Sequence, residues 1–204
     1  MLASVRVPGP VTAPVSLEEV REHLRVDHTV EDRTLKLYVD AATGYLEGPA
    51  GILGRLLMTQ SWRQAYPGFS DPILIPVGLQ PVQSVTSIKY FDASNVEIIL
   101  SSATYRLVHT VYRVPIDVLI GENWWIERVD KTMAWPITMA RDDAVTVEVV
   151  VGDGSSTIAA PIKKAMLDLI GHWYNQRETA STSTFSEVPY SVTSLLINQA
   201  RIVL

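Results

Sequence analysis

Hydrophobic residues in the first fifty positions recur at helical spacing in two segments. The first, "SLEEVREHL", begins with Ser16 and Glu19 in the S-x-x-E pattern of a capping box, in which each side chain satisfies a backbone N–H of the other residue. A second helix is predicted to begin at Thr29 and to end at Gly48-Pro49. Its apolar stripe is predicted to consist of Leu35, Tyr38, Ala42 and Tyr45.

From Arg55 to Val151 the pattern changes to the alternation typical of β-strands. "AVTVEVVVG" is the clearest strand, because its valines at every second position share one face. "VQSVTSIKYF" and "VEIIL" flank "DASN", which predicts a hairpin. "YRLVHTVYRV" is read as a further strand, and the stretch 115–143 after it is long for a plain connection, so we expect either a functional excursion or an edge of the sheet.

Helical spacing returns near the C-terminus. Pro161 is well placed as the first residue of a helix. The apolar stripe that follows is predicted to contain Ile162, Ala165, Met166, Leu169 and Trp173. "TASTSTFSE" predicts a mobile polar loop, and "VPYSVTSLLINQARIVL" a short final helix with a tail.

Together these patterns predict an α+β fold. We expect a helical bundle formed by the N- and C-terminal helices, with a β-rich insertion in the middle of the chain. The predicted boundaries are 1–54 for the N-terminal helical part and 55–152 for the insertion. Residues 153–204 then form the C-terminal helices and tail, which pack with 1–54.

The composition of the chain argues against some classes of function. The chain has 204 residues, of which 47% are hydrophobic and 19% charged, enough for a packed core. The net charge of −5 argues against a protein that grips nucleic acid, because such proteins replace counterions on phosphate. The chain has no cysteine, no signal-peptide pattern and no apolar run of the roughly 20 residues that a membrane helix needs, so we expect a soluble intracellular protein.

The motifs of common enzymes are missing. Neither a phosphate-binding glycine loop nor a nucleophile elbow is present. "VGDGSS" at 151–156 follows a strand, but it lacks a lysine and an immediate helix start, which favours a simple turn. The four histidines, at 23, 28, 109 and 172, have no metal-binding spacing, and adjacent carboxylates point in different directions. We therefore predict no catalytic residue, no cofactor and no metal site.

Three tryptophans in the long segment are candidate interface residues. Trp124, Trp125 and Trp135 have the aromatic character favoured at protein interfaces, and the alternative is that one or two of them fill the core of the sheet. Stacking on nucleic-acid bases is disfavoured because the neighbouring charges are mixed. The aromatic and polar cluster at 172–178 needs no chemistry, since a packed helix end explains it.

The order of features resembles a known family. "VSLEEVREHLRVD", "GRLLMTQSWRQAYPGF", "LQPVQSVTSIKYFD", "AVTVEVVVGDG", "PIKKAMLDLIGHWYNQRE" and "VPYSVTSLL" follow one another over nearly the whole chain. This order resembles the head–tail connector, or adaptor, proteins of long-tailed phages, prophages and gene transfer agents. The sequence departs from them in the longer, more aromatic segment 109–143 and in the strand ending "VVVGDG", which lacks an aromatic residue.

The resemblance implies a structural protein. Such proteins form a ring, commonly a dodecamer, between the portal and the stopper or tail proteins, and they extend the DNA channel. Several are monomers when free. DNA passes through the lumen without specific binding, and no membrane is involved. The resemblance places the chain in the host cytoplasm during assembly and then at the head–tail junction of a virion or phage-like particle.

Two segments are predicted to form much of the contact surfaces of such a ring. They are the segment 109–143 and the C-terminal tail 179–204, with Arg177, Leu195 and Leu196 as further candidate interface residues. Replacing Leu195 or Leu196 by Asp is expected to block attachment without unfolding the core.

Two rival functions remain open at this point. One is an enzyme with a site assembled from distant residues. The other is a soluble DNA-packaging accessory or DNA-binding module.

Overall fold

The computed structural model describes residues 4–9, 12–48, 50–75, 79–113, 119–154, 158–176 and 190–196. These residues contain four α-helices: α1 (Leu17–Leu24), α2 (Asp32–Leu46), α3 (Ala160–Asn175) and α4 (Tyr190–Leu196). They also contain eight β-strands: β1 (Val5–Arg6), β2 (Gln60–Tyr66), β3 (Ile73–Leu74), β4 (Val82–Phe91), β5 (Glu97–Ile99), β6 (Tyr105–Arg113), β7 (Leu119–Arg128) and β8 (Val145–Val151). The fold is therefore α+β, as predicted.

The capping box that the sequence predicts begins α1. The Glu19 N–H donates to the Ser16 hydroxyl at 3.1 Å, and the Ser16 N–H donates to the Glu19 carboxylate at 2.9 Å. Both backbone donors would otherwise be unpaired at the helix start. The helix ends at Arg25, whose left-handed conformation (φ 58°) stops it.

The apolar stripe of α2 differs from the predicted one. Leu35 and Ala42 are buried as expected, but Val39 and Leu46 complete the buried face. Tyr38 is half-buried, and Tyr45 lies outside the core. Both sets fit a 3.6-residue period, so only the position of the neighbouring helices decided between them. The helix also begins at Asp32 rather than at Thr29.

The buried face of α3 follows the predicted stripe over four positions, and Trp173 is half-buried beside it. The helix begins one residue earlier than predicted, so Pro161 lies at its second position. Residues from both ends of the chain share one helical core. Its members include Val20, Leu35, Val39, Leu46, Leu53, Leu57, Ile162, Met166, Leu169, Val192 and Leu196.

The strands form two antiparallel sheets. The five-stranded sheet has the order β1-β2-β8-β4-β5, and the predicted valines of β8 face its core at the centre. The predicted hairpin joins β4 to β5. In its turn the Asp92 carboxylate accepts the N–H groups of Ser94 and Val96, and Asn95 adopts a positive φ of 60°.

The second sheet, with the order β3-β7-β6, was not foreseen from the sequence. The segment 109–143 contains strand β7, which pairs along the whole of β6 rather than with the five-stranded sheet. The short strand β1, paired to β2, was also not predicted. Local alternation identifies a strand, whereas its partner depends on contacts between distant residues.

A tight junction connects the helical core to the sheets. Leu57 belongs to the helical core, while Leu56 beside it belongs to the core of the sheets. The Arg55 guanidinium pairs with the Asp153 carboxylate at this junction. Gly152 lies so close that a Cβ there would be 2.3 Å from the Met58 carbonyl oxygen. Gly152 of "VGDG" therefore serves a close approach of two backbone segments.

Candidate functional site

The alternation of β7 separates two of the candidate tryptophans. Ile126 is fully buried in the core of the sheets, so Trp124 faces the core and Trp125 faces the opposite side. Trp124 pairs across the strands with His109, and their rings stack at 3.9 Å with an angle of 15°. Trp124 is therefore held inside the fold.

Trp135 also packs inward. Its ring stacks on Phe69 with centroids 4.8 Å apart, and the Arg128 guanidinium lies 5.2 Å from the Trp135 ring. Both aromatic rings are half-buried against the core of the sheets. For Trp124 and Trp135 the contacts therefore fit the alternative reading, in which aromatic side chains fill the sheet core.

Trp125 lies on the outer face of the three-stranded sheet. It is directly opposite Leu74 on β3 and Val108 on β6, so the three side chains form one row across three strands. None of the three belongs to the residues packed on the core of the sheets, and Leu74 is 57% exposed. We call Leu74, Trp125 and Val108 the outer row.

Charged residues border the outer row. The Glu127 carboxylate accepts from the Arg106 guanidinium at 2.5 Å and lies 3.4 Å from the Lys131 ammonium. The hydrogen bond from Arg106 lowers the pKa of Glu127 below its ordinary value. Both cations remain exposed, Arg106 at 59% and Lys131 at 71%, so this border presents positive charge.

The candidate residues near the C-terminus occupy different environments. Leu196 is only 2% exposed and belongs to the helical core, while Leu195 is half-buried against that core. An Asp at position 196 would place a carboxylate among apolar side chains, so the expectation that this change spares the core does not fit the structure. Arg177 lies outside the described residues, as does most of the tail. An interface role for these residues stays a prediction.

The adjacent carboxylates take part in structural contacts. Glu19 accepts from Lys163 on α3, which is the main reason why its pKa lies below the ordinary value. Glu31 accepts from the Tyr174 hydroxyl at 2.6 Å, and Arg141 pairs with Asp143. The contacts of Glu19 and Glu31 connect the N-terminal part of the chain to α3, whereas Arg141 and Asp143 pair within one loop.

Burial raises the pKa of one further carboxyl group, Glu47, at the end of α2. Its carboxylate accepts the Leu57 N–H at 3.1 Å, in the junction between the helical core and the sheets. This contact stabilises a backbone turn, so the shifted pKa has a structural explanation. Sequence reasoning did not single out Glu47, because nothing local distinguishes it.

Metal binding finds no support in the described residues. Nowhere in that part of the chain do three or more His, Asp or Glu side chains come together as a metal site would require. His23 lies 3.6 Å from Asp168, and His109 stacks on Trp124. Among the same residues, every helix is too short or too polar to cross a bilayer.

The family model of phage gp6-like head–tail connector proteins matches residues 14–119. This match covers just over half of the chain and extends from α1 to the first residue of β7. The chain therefore belongs to the phage gp6-like head–tail connector family, a family of structural subunits of the head–tail junction. No curated protein matches the sequence.

Solved structures show the same fold over the whole chain. The neck of an empty gene transfer agent (GTA) particle, computed with C6 symmetry, contains a chain of 21% identity that superposes with a TM-score of 0.71. A chain from the virion of a native GTA particle gives 0.70 at 21% identity. A third, from a native GTA neck computed with C12 symmetry, gives 0.62 at 17% identity. Each comparison covers 100% of this chain and 97% of the other.

Proposed function

We propose that this chain forms a closed ring between the portal and the stopper or tail proteins of a phage-like particle, and that the ring extends the DNA channel. The observation that carries the proposal is the family match, joined to a fold shared over the full chain with subunits of symmetric particle necks. A twelve-fold ring is the stoichiometry that we favour, because one of those necks was computed with C12 symmetry.

The arrangement of the cores supports a finer account of the fold. We propose that residues 1–54 and 153–204 form one helical bundle and that 55–152 is the inserted β-rich part. In support of this division, the helical core takes residues from both ends of the chain, while the second core consists of residues 56–151. Two features cross this division: short β1 joins the five-stranded sheet from the N-terminal part, and Leu57 and Met58 of the inserted part belong to the helical core.

The role is structural and not catalytic in this proposal. Among the polar groups that suggested chemistry, Glu19, Glu31 and His23 have partners on α3 that stabilise the fold. A net charge of −5 suits a conduit through which DNA slides, because an acidic wall does not retain phosphate.

Native mass spectrometry tests the ring directly. The chain is measured alone and after mixing with the assembled portal from the same locus. We expect a monomer alone, and saturable addition of twelve subunits to the portal. A well-folded chain that does not add to the portal at any ratio would contradict the proposal.

A second candidate function is that of a DNA-packaging accessory. Retention on immobilised DNA distinguishes it from a ring subunit. Binding through phosphates weakens steeply with salt, so an accessory module would elute from immobilised duplex DNA as salt rises. We expect the chain to pass through without retention even at low salt. Salt-sensitive retention would favour the accessory instead.

A further inference from the structure

The two sheets differ in what their outer faces carry. On the five-stranded sheet, the exposed apolar side chains Val5 and Ile99 lie apart on the two edge strands, and the outer face between them carries ion pairs such as Arg63 with Glu148. A solvated face normally has this polar character. The three-stranded sheet instead presents the outer row of Leu74, Trp125 and Val108. A continuous row of apolar side chains that the fold leaves partly uncovered is typical of a surface that another protein covers.

We propose that the outer row forms a contact between neighbouring copies of this chain. This proposal rests on the proposed function, in which copies of the chain form a ring. Each row docks on a different surface of the next copy. A ring requires this kind of contact, because a surface that pairs with itself closes a dimer instead.

The charges around the outer row favour another copy of this chain as the partner. Arg106 and Lys131 present positive charge beside a shielded Glu127. The chain as a whole has a net charge of −5, so the rest of its surface carries an excess of carboxylates. An acidic surface of a neighbouring copy would complement these cations.

The same charges disfavour a two-fold contact through this face. If two outer rows met each other, Arg106 and Lys131 of one copy would approach those of the other. Like charges at close range oppose such an arrangement. An unlike surface of the next copy avoids the repulsion, which again points to a head-to-tail ring.

The edge of the same sheet is also open. In the described part of the chain, β6 pairs with β7 on one side and with no strand on its other side. An unpaired edge of nine residues exposes a series of backbone donors and acceptors. A neighbouring copy that covers the outer row would lie beside this edge and shield it.

Photo-crosslinking in assembled particles tests the contact. p-Benzoylphenylalanine replaces Trp125 in the full chain, and the matched control carries it at Ile99, which is 66% exposed on edge strand β5. After illumination of purified particles, we expect position 125 to give a band at twice the 22.6 kDa of the chain. Position 99 should give no such band above background.

Each outcome has a distinct meaning. Attachment of position 125 to another neck protein or to DNA, with the chain present in the particles, overturns the contact and leaves the proposed function intact. Equal dimer bands from both positions also overturn it. Particles that lack the chain altogether contradict the proposed function, and the contact fails with it.

A substitution pair gives an independent measure. Leu74→Lys adds a charge to the outer row, whereas Ile99→Lys adds it to the other sheet. We expect Leu74→Lys to weaken ring formation on the portal by at least about tenfold, as for an interface anchor, and Ile99→Lys to have no effect. The melting temperature of each free variant should stay within about 2 °C of the parent, since both sites are exposed. Undiminished rings from a folded Leu74→Lys chain would refute the contact.

Discussion

Replacing Gly152 by alanine tests the junction between the two cores, with Gly154 as a matched control. Both glycines adopt a positive φ, 106° and 72°, which alanine tolerates poorly. Only at Gly152 would the new Cβ also meet backbone, at 2.3 Å from the carbonyl oxygen of Met58 and 2.9 Å from the nitrogen of Thr59. At Gly154 the nearest atoms belong to the flexible side chain of Gln83, at 3.4 Å.

The expected losses of folding stability follow from these contacts. A left-handed alanine costs about 1–2 kcal/mol, which sets the effect of Gly154→Ala. Gly152→Ala adds about 1–3 kcal/mol, because a packed backbone must move to admit the methyl group. The entropy that alanine removes from the unfolded chain is the same for both variants, so it cancels in the comparison. We therefore expect Gly152→Ala to be the more destabilising by about 1–3 kcal/mol.

Urea unfolding followed by tryptophan fluorescence measures this difference. The urea concentration at the midpoint of unfolding should fall further for Gly152→Ala than for Gly154→Ala. The dependence of the unfolding free energy on urea should stay unchanged, since it reports the surface exposed on unfolding. Thermal unfolding should agree, at about 2–4 °C per kcal/mol for a chain of this size. Equal losses of stability in the two variants would refute the close approach as the reason for glycine at position 152.

Three further predictions concern the cores and their links. Leu196→Ala should lower the free energy of unfolding by about 2–5 kcal/mol because it leaves a cavity, whereas Leu37→Ala, at a site that is 64% exposed, should stay within about 0.5 kcal/mol in the same urea assay. The hydrogen bond from Lys163 holds the pKa of Glu19 below its ordinary value of 4.5. The pair therefore stabilises the fold fully above pH 4.5, and this stabilisation is lost as the pH falls through the lowered pKa of Glu19. The free energy of unfolding of Glu19→Gln should accordingly depend less on pH in that range. A pH dependence equal to that of the parent chain would contradict a stabilising pair of Glu19 and Lys163. Tyr66→Phe removes a 2.7 Å hydrogen bond to the backbone of β3 and should cost about 0.5–1.5 kcal/mol, which thermal unfolding would detect.

Local patterns determined most of the elements. Alternating valines define β8, the S-x-x-E pair defines the start of α1, and "DASN" defines a turn, because each depends on residues close in sequence. The order of these elements also carried the resemblance to head–tail connectors, which the family match confirms. Fold class and family could thus be predicted without coordinates.

The exposure of the candidate interface residues could not be predicted from local patterns. Nothing in "ENWWIER" tells which tryptophan faces outward, because alternation predicts only that Trp124 and Trp125 point to opposite sides. The buried Ile126 and the pairing of β7 with β3 and β6 decided this. Leu196 could likewise be placed inside or outside only after α4 was seen against the helical core.

The sequence by itself determined the helices and several of the strands to within a few residues, the absence of familiar catalytic motifs, and the family. Tertiary structure alone decided that the strands divide into two sheets and which side chains form the outer row of Leu74, Trp125 and Val108. The reason is physical: secondary structure follows from periodicity over a few residues, whereas the exposure of a side chain depends on what distant segments pack against it.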